Sequence, residues 1–214
     1  MKFRVLCLHG YTQNAQKFRD RLGPFRRGLK NQVDLVFLTA PHKATRVFGS
    51  TDPQDADESM AWWNQSDDKD GVEREIMASV ETVREKIKEE GPFDGIMGFS
   101  QGAGMAAIVA ALAESGGGGW RPFRFAMFFA GFYPEQMAAF GDTVGKSRLG
   151  VPSLHVVGEC DAVVPRSRGV ELATRAFEDP EIRSHPGGHF VPCNAEWRRT
   201  YQEFLAKIDA APDL

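Results

Sequence analysis

The stretch Phe93-Asp94-Gly95-Ile96-Met97-Gly98-Phe99-Ser100-Gln101-Gly102-Ala103 decides how the rest of the chain is read. The apolar run from Phe93 to Phe99 has the character of a buried strand. The Ala-rich segment from Gln101 to Glu114 has that of a helix packed deeply against a sheet. Ser100 stands at their junction, with Gly98 and Gly102 on either side. A chain turning this sharply from strand to helix brings backbone against backbone, and side chains at the flanking positions would collide. The turn holds a hydroxyl above the end of a sheet, in front of a helix N-terminus. Ser100 is therefore a candidate nucleophile.

Outward from this junction, strand and helix alternate. Strands are predicted at 3–8, 34–39, 93–99, 124–130, 153–158 and 182–185, and helices at 15–30, 72–90, 101–114, 166–178 and 194–208. Asn14 is placed to cap the first helix near Ala15. Such alternation predicts an α/β protein with a mostly parallel sheet of about six strands, covered by helices on both faces. It fits a single domain over residues 1–214. Residues 40–70 interrupt it. This long connection carries Pro41, Pro53, many acids and the pair Trp62-Trp63, and reads as a possible lid or pocket segment folded over the sheet's C-terminal edge. The run Gly116 to Gly119 lacks a following Lys-Ser/Thr pair and reads as a surface connection, not a phosphate cradle.

Composition bounds the function. The chain has 214 residues, 42% hydrophobic and 26% charged, with a formal net charge of -3, which argues against nucleic acid as a partner. No apolar run is long enough to span a bilayer, and Met1 to Leu8, interrupted by Lys2 and Arg4, does not read as a secretory signal. Three cysteines at irregular positions, Cys7, Cys160 and Cys193, form no disulfide framework, and a cytoplasmic location is expected. Cys160 and Cys193 lie near Asp161 and His189 in sequence but lack further ligands at recognisable spacing, so no metal site is predicted. Lys17, Arg19, Arg21, Arg26, Arg27 and Lys30 crowd the first helix. They read as a solvated face, or as a docking surface for an acidic carrier protein.

Two partners for Ser100 follow in the chain. Asp161 lies just past the predicted strand 153–158, and His189 sits in the glycine-rich loop after 182–185. The order Ser, Asp, His is the one used where the nucleophile sits on a strand-to-helix turn. The competitors are less well placed: Asp142 lies in a polar loop before the strand at 153, and Glu159 adjoins Asp161. Of the other histidines, His9 follows the first strand, His42 lies in the long connection, His155 is inside a strand and His185 ends one. The loop His9-Gly10-Tyr11 and the residue after the nucleophile would offer the backbone amides of Tyr11 and Gln101 to a developing oxyanion. Trp62, Trp63, Phe132 and Val164 are candidates for the wall of an acyl pocket.

These residues carry a family resemblance. Arg4-Val5-Leu6-Cys7-Leu8-His9-Gly10-Tyr11 with Gln13-Asn14, the Trp62-Trp63 pair, Gly91-Pro92-Phe93-Asp94-Gly95 leading to Gly98-Phe99-Ser100-Gln101-Gly102-Ala103, and Gly187-Gly188-His189-Phe190-Val191-Pro192 resemble the FSH serine hydrolases, the animal branch more than the fungal one. The match runs from Lys2 to Leu205 and is weakest around Trp62. The resemblance implies an α/β-hydrolase fold with a minimal lid and esterase activity on small-molecule acyl esters without metal or organic cofactor. It places nucleophile, acid and base on Ser100, Asp161 and His189. Two alternatives are a thioesterase releasing carrier- or CoA-bound acyl chains and, more remotely, a non-catalytic binding protein on a hydrolase scaffold.

Overall fold

The computed structural model describes residues 2–46, 58–116, 119–138 and 148–211. Six strands, β1 (Phe3–Leu8), β2 (Val33–Leu38), β5 (Gly95–Phe99), β6 (Phe125–Phe129), β7 (Ser153–Gly158) and β8 (Pro180–His185), form one sheet. Their order is β2-β1-β5-β6-β7-β8, and every neighbouring pair is parallel.

The period of two in β1 shows how the sheet divides its two cores. Phe3, Val5 and Cys7 point to one face, where they pack with Phe18, Phe25, Tyr201 and Phe204 from α1 (Ala15–Arg21), α2 (Gly23–Leu29) and α6 (Ala195–Ala210). Leu6 and Leu8 point to the other, where Ile76, Ile108 and Leu172 come from α3 (Lys69–Glu90), α4 (Gln101–Glu114) and α5 (Arg166–Ala176). The strands β5 and β6 are buried along their whole length, as both-face coverage of a parallel sheet demands.

The chain leaves β1 for β2 on one side and later returns to place β5 on the other. The strand order therefore reverses between β1 and β5, and the crevice at their C-terminal ends is where ligands bind in open α/β sheets. The register pairs Leu8 with Gly98, so the loop after β1 and the turn at Ser100 emerge side by side.

Several sequence expectations are corrected. The helix expected over 15–30 is two helices, broken at Leu22, because Pro24 has no N–H to continue the first one and instead starts the second. Asn14 does cap α1, its side chain accepting from the Lys17 amide at 2.8 Å. The helix expected at 72 begins at Lys69, capped by Asp68. The 40–70 connection contains structure: β3 (His42–Lys43) and β4 (Met60–Ala61) form a two-stranded antiparallel ribbon. The ribbon is stitched to the loop after β1 by Thr12 N–H donating to Met60 O and Met60 N–H to Gln13 O. Residues 47–57 of the connection, and Asp142, lie outside the described residues.

Candidate active site

Ser100 closes β5 and opens α4 with φ 54° and ψ -119°, a left-handed conformation that a side-chain-bearing residue adopts at a cost of order 1–3 kcal/mol. The turn is held by Ser100 N–H donating to Phe129 O at 2.9 Å, and by the Ser100 carbonyl accepting from Ala103 at 2.9 Å. Both flanking glycines are obligatory. A Cβ at Gly98 would strike the carbonyl of Gly102, and one at Gly102 would strike the carbonyls of Leu8 and His9.

Asp161 and His189 come together because β7 and β8 are neighbours with Gly158 registered against His185. Glu159 N–H donates to His185 O at 2.8 Å and Cys160 N–H to Gly187 O at 3.1 Å, which joins the two loops. His189 Nδ1 then lies 2.7 Å from Asp161 Oδ2, while Asp161 Oδ1 accepts from the amides of Val163 and Val164 at 2.9 and 2.8 Å. The Asp161 side chain is fully buried and that of His189 is 18% exposed. The His189 ring packs on Phe99, centroids 4.8 Å apart, directly beside Ser100.

The oxyanion candidates lie on the same crevice. Tyr11 and Gln101 line a cavity of about 500 Å³ together with Ser100. The Tyr11 hydroxyl donates to Asn64 at 3.1 Å, and Asn64 also accepts from Thr45, so the loop after β1 is anchored to the connection. Gln101 does more than offer an amide. Its Oε1 accepts from the Trp62 amide at 2.9 Å and its Nε2 donates to the Trp63 carbonyl at 2.6 Å, clamping the tryptophan pair from both sides.

The two tryptophans part company. Trp63, Phe132 and Val164 line the cavity. Trp62 does not: it is 0% exposed, its indole N–H donates to the His9 carbonyl at 2.8 Å, and its ring packs against His9. Trp62, expected with Trp63 to meet substrate, is instead buried against His9 and lies outside the cavity lining.

The sequence matches the family model of the serine hydrolase (FSH1) over residues 1–201. The chain belongs to that serine hydrolase family. It is 37% identical to Esterase OVCA2 of Danio rerio over 96% of this chain and 97% of the relative, and 35% identical to Esterase OVCA2 of Homo sapiens over 94% and 95%. Among solved structures it superposes on esterase PE8 with TM-score 0.67 at 20% identity, covering 97% and 93% of the two chains. Acyl-protein thioesterase 2 of Zea mays gives 0.65 at 20%, covering 95% and 94%. These likenesses show the α/β-hydrolase fold.

In this serine hydrolase, His9 has a structural place that sequence reading did not distinguish. Burial pushes its imidazole down to about 4, so it is neutral, donating from Nδ1 to Gly10 O at 2.8 Å and accepting at Nε2 from the Ala40 amide at 3.0 Å. Burial also pushes His155 to about 3, where it stacks on Phe128 inside the sheet's core, and lowers His185 against the opposing pull of Asp161 and Glu159. The basic cluster of α1 and α2 is remote from Ser100. Arg19, Arg26 and Lys30, with Lys2, border a smaller cavity of about 180 Å³ beside Val33 and Asp34, at the N-terminal ends of β1 and β2, the edge opposite the turn at Ser100. Among the described residues, no helix is long and apolar enough to cross a membrane.

Proposed function

We propose that this serine hydrolase is a carboxylesterase working through an acyl-enzyme on Ser100, with His189 as base and acid and Asp161 as its orienting carboxylate. The observation that carries the reading is the 2.7 Å contact from Asp161 to His189 Nδ1. It leaves Nε2 as the proton-accepting nitrogen, on a ring packed against the residue before Ser100.

Ser100 Oγ attacks the ester carbonyl as its proton passes to His189 Nε2, and Asp161 stabilises the imidazolium that forms. The carbonyl oxygen becomes an oxyanion and receives the amides of Tyr11 and Gln101, each donor being worth about 3 kcal/mol in the transition state. When the tetrahedral species collapses, the ester C–O bond breaks and the alkoxide leaves with the proton from His189. Water then attacks the acyl-enzyme, giving its proton to His189, and Ser100 departs with it. The acyl group lies against Trp63, Phe132 and Val164, which suits small-molecule acyl esters.

The test is a panel of p-nitrophenyl esters of increasing acyl length, run on wild type and Ser100→Ala, with fluorophosphonate labelling of both. Wild type should turn over and label, and the variant should do neither. Equal hydrolysis by the two proteins would remove Ser100 from its role.

A further inference from the structure

The cavity containing Ser100 carries more charge than a neutral acyl ester needs. Beside the apolar surface of Trp63, Val72 and Phe132, its described lining includes two arginines, Arg46 and Arg168, and one glutamate, Glu135. Arg168 is exposed, with its head group over an aromatic ring. Its carbon Cζ sits 5.3 Å from the centre of the Phe132 ring, and that ring meets Trp63 edge-to-face at 6.2 Å. A guanidinium laid on an aromatic face keeps its N–H edge outward, in the planar fork that matches a carboxylate or phosphate.

The backbone of Arg168 is constrained. Its amide donates to Pro165 O at 2.8 Å in the first turn of α5, and the chain just before that turn is tied to Asp161 through Val163 and Val164. The backbone that carries Arg168 is therefore continuous with the Asp161 loop. Arg4, Arg74, Arg84, Arg175 and Arg183 each pair with a carboxylate. Among the described residues neither Arg46 nor Arg168 does. A substrate anion in this partly apolar cavity would give both cations the charged partner that the described residues do not supply.

We propose that this cavity selects substrates with an anionic group, carboxylate or phosphate, within one cavity length of the scissile carbonyl, with Arg168 as its principal partner and Arg46 as the second. The inference rests on the Ser100 reading above. The anion can sit on the acyl side or on the leaving group, and the experiment separates the two.

In the acyl arm, kcat/KM is measured for p-nitrophenyl hydrogen glutarate and p-nitrophenyl valerate, which differ by a carboxylate in place of a terminal methyl. In the leaving-group arm, butyryl phosphopantetheine is compared with butyryl N-acetylcysteamine. Each arm yields an anionic-to-neutral ratio, which cancels any general loss of activity. Arg168→Met should lower the ratio about tenfold in one arm, chiefly through KM, and Glu135→Gln should raise it. Salt at about 0.5 M should shrink the wild-type ratio toward that of Arg168→Met. A fall in the glutarate arm supports an acyl-side anion, and a fall in the phosphopantetheine arm supports a leaving-group anion. Ratios unchanged in both arms, in Arg168→Met and in the double variant with Arg46→Met, overturn the proposal. Calorimetric binding of methyl hydrogen glutarate and of phosphopantetheine to Ser100→Ala, with and without Arg168→Met, measures the same preference without turnover. Failure of the wild type to hydrolyse the neutral esters or to label at Ser100 would instead sink the esterase reading.

Discussion

His189 Nδ1 donates to Oδ2 of Asp161 at 2.7 Å, and the other oxygen of that carboxylate is already held by two backbone amides. The carboxylate cannot rotate without losing all three bonds, so the orientation of the imidazole is set by the backbone of the 161–164 turn.

Replacing that carboxylate by an amide tests the relationship. Asp161→Asn keeps the shape but can present an N–H to His189, favouring the wrong tautomer. We expect kcat to fall by roughly 10³–10⁴-fold with KM little changed. Steady-state kinetics on p-nitrophenyl esters, with circular dichroism to establish folding, decide it. Activity within about tenfold of wild type would take Asp161 out of the proposed mechanism.

The turn at Ser100 has no room for a methyl group at Gly102. Gly102→Ala would push a Cβ into the carbonyl of Leu8, the last residue of β1, and into that of His9, which is held by the Trp62 indole N–H. We expect a loss of about 3 kcal/mol or more, read as a lowered urea midpoint, or an insoluble protein. A variant of wild-type stability would show that the turn can relax.

The tryptophan pair should divide by measurement as it does in space. Trp62→Ala removes a wholly buried indole and its bond to the His9 carbonyl, and should cost about 3–5 kcal/mol of stability. Trp63→Ala opens the cavity wall and should shift preference toward longer acyl chains. A Trp63→Ala enzyme with wild-type chain-length selectivity, measured on the ester panel, would return that residue to a purely structural place.

Acid should destabilise the fold through its buried imidazoles. In His9 and His155 the folded pKa lies below 6.5, at about 4 and about 3, so the unfolded chain binds protons first as pH falls. Their contribution is complete above pH 6.5 and is lost progressively on acidification toward the folded values, at up to about 1.4 kcal/mol per pH unit for each histidine. Protonating His9 also takes away the acceptor that Nε2 offers to the Ala40 amide. Urea unfolding between pH 7 and 4 should show this slope, and His155→Gln should remove about half of it. An unaltered slope in that variant would mean that His155 does not titrate on unfolding.

Much of the framework is legible in the amino-acid order, for local reasons. The apolar run Phe3–Leu8 marks a buried strand, and glycines at 98 and 102 mark a turn that nothing bulkier tolerates. The break at Leu22 has its signal in Pro24, but an otherwise continuous helical pattern around it masks that signal. The strands β3 and β4 cannot be seen locally, because two residues carry no periodicity.

Amino-acid order alone determined the alternation of strands and helices, the sharp turn at Ser100 and the chain order of its candidate partners, since each depends on contacts a few residues long. Only the tertiary structure decided which strands are neighbours, and with that the meeting of Asp161 and His189, the place of Trp63 in the cavity lining with Trp62 buried outside it, and the Gln101 clamp on both. Those outcomes depend on pairings between segments 28 to 39 residues apart, which packing of the whole sheet settles and no local pattern encodes.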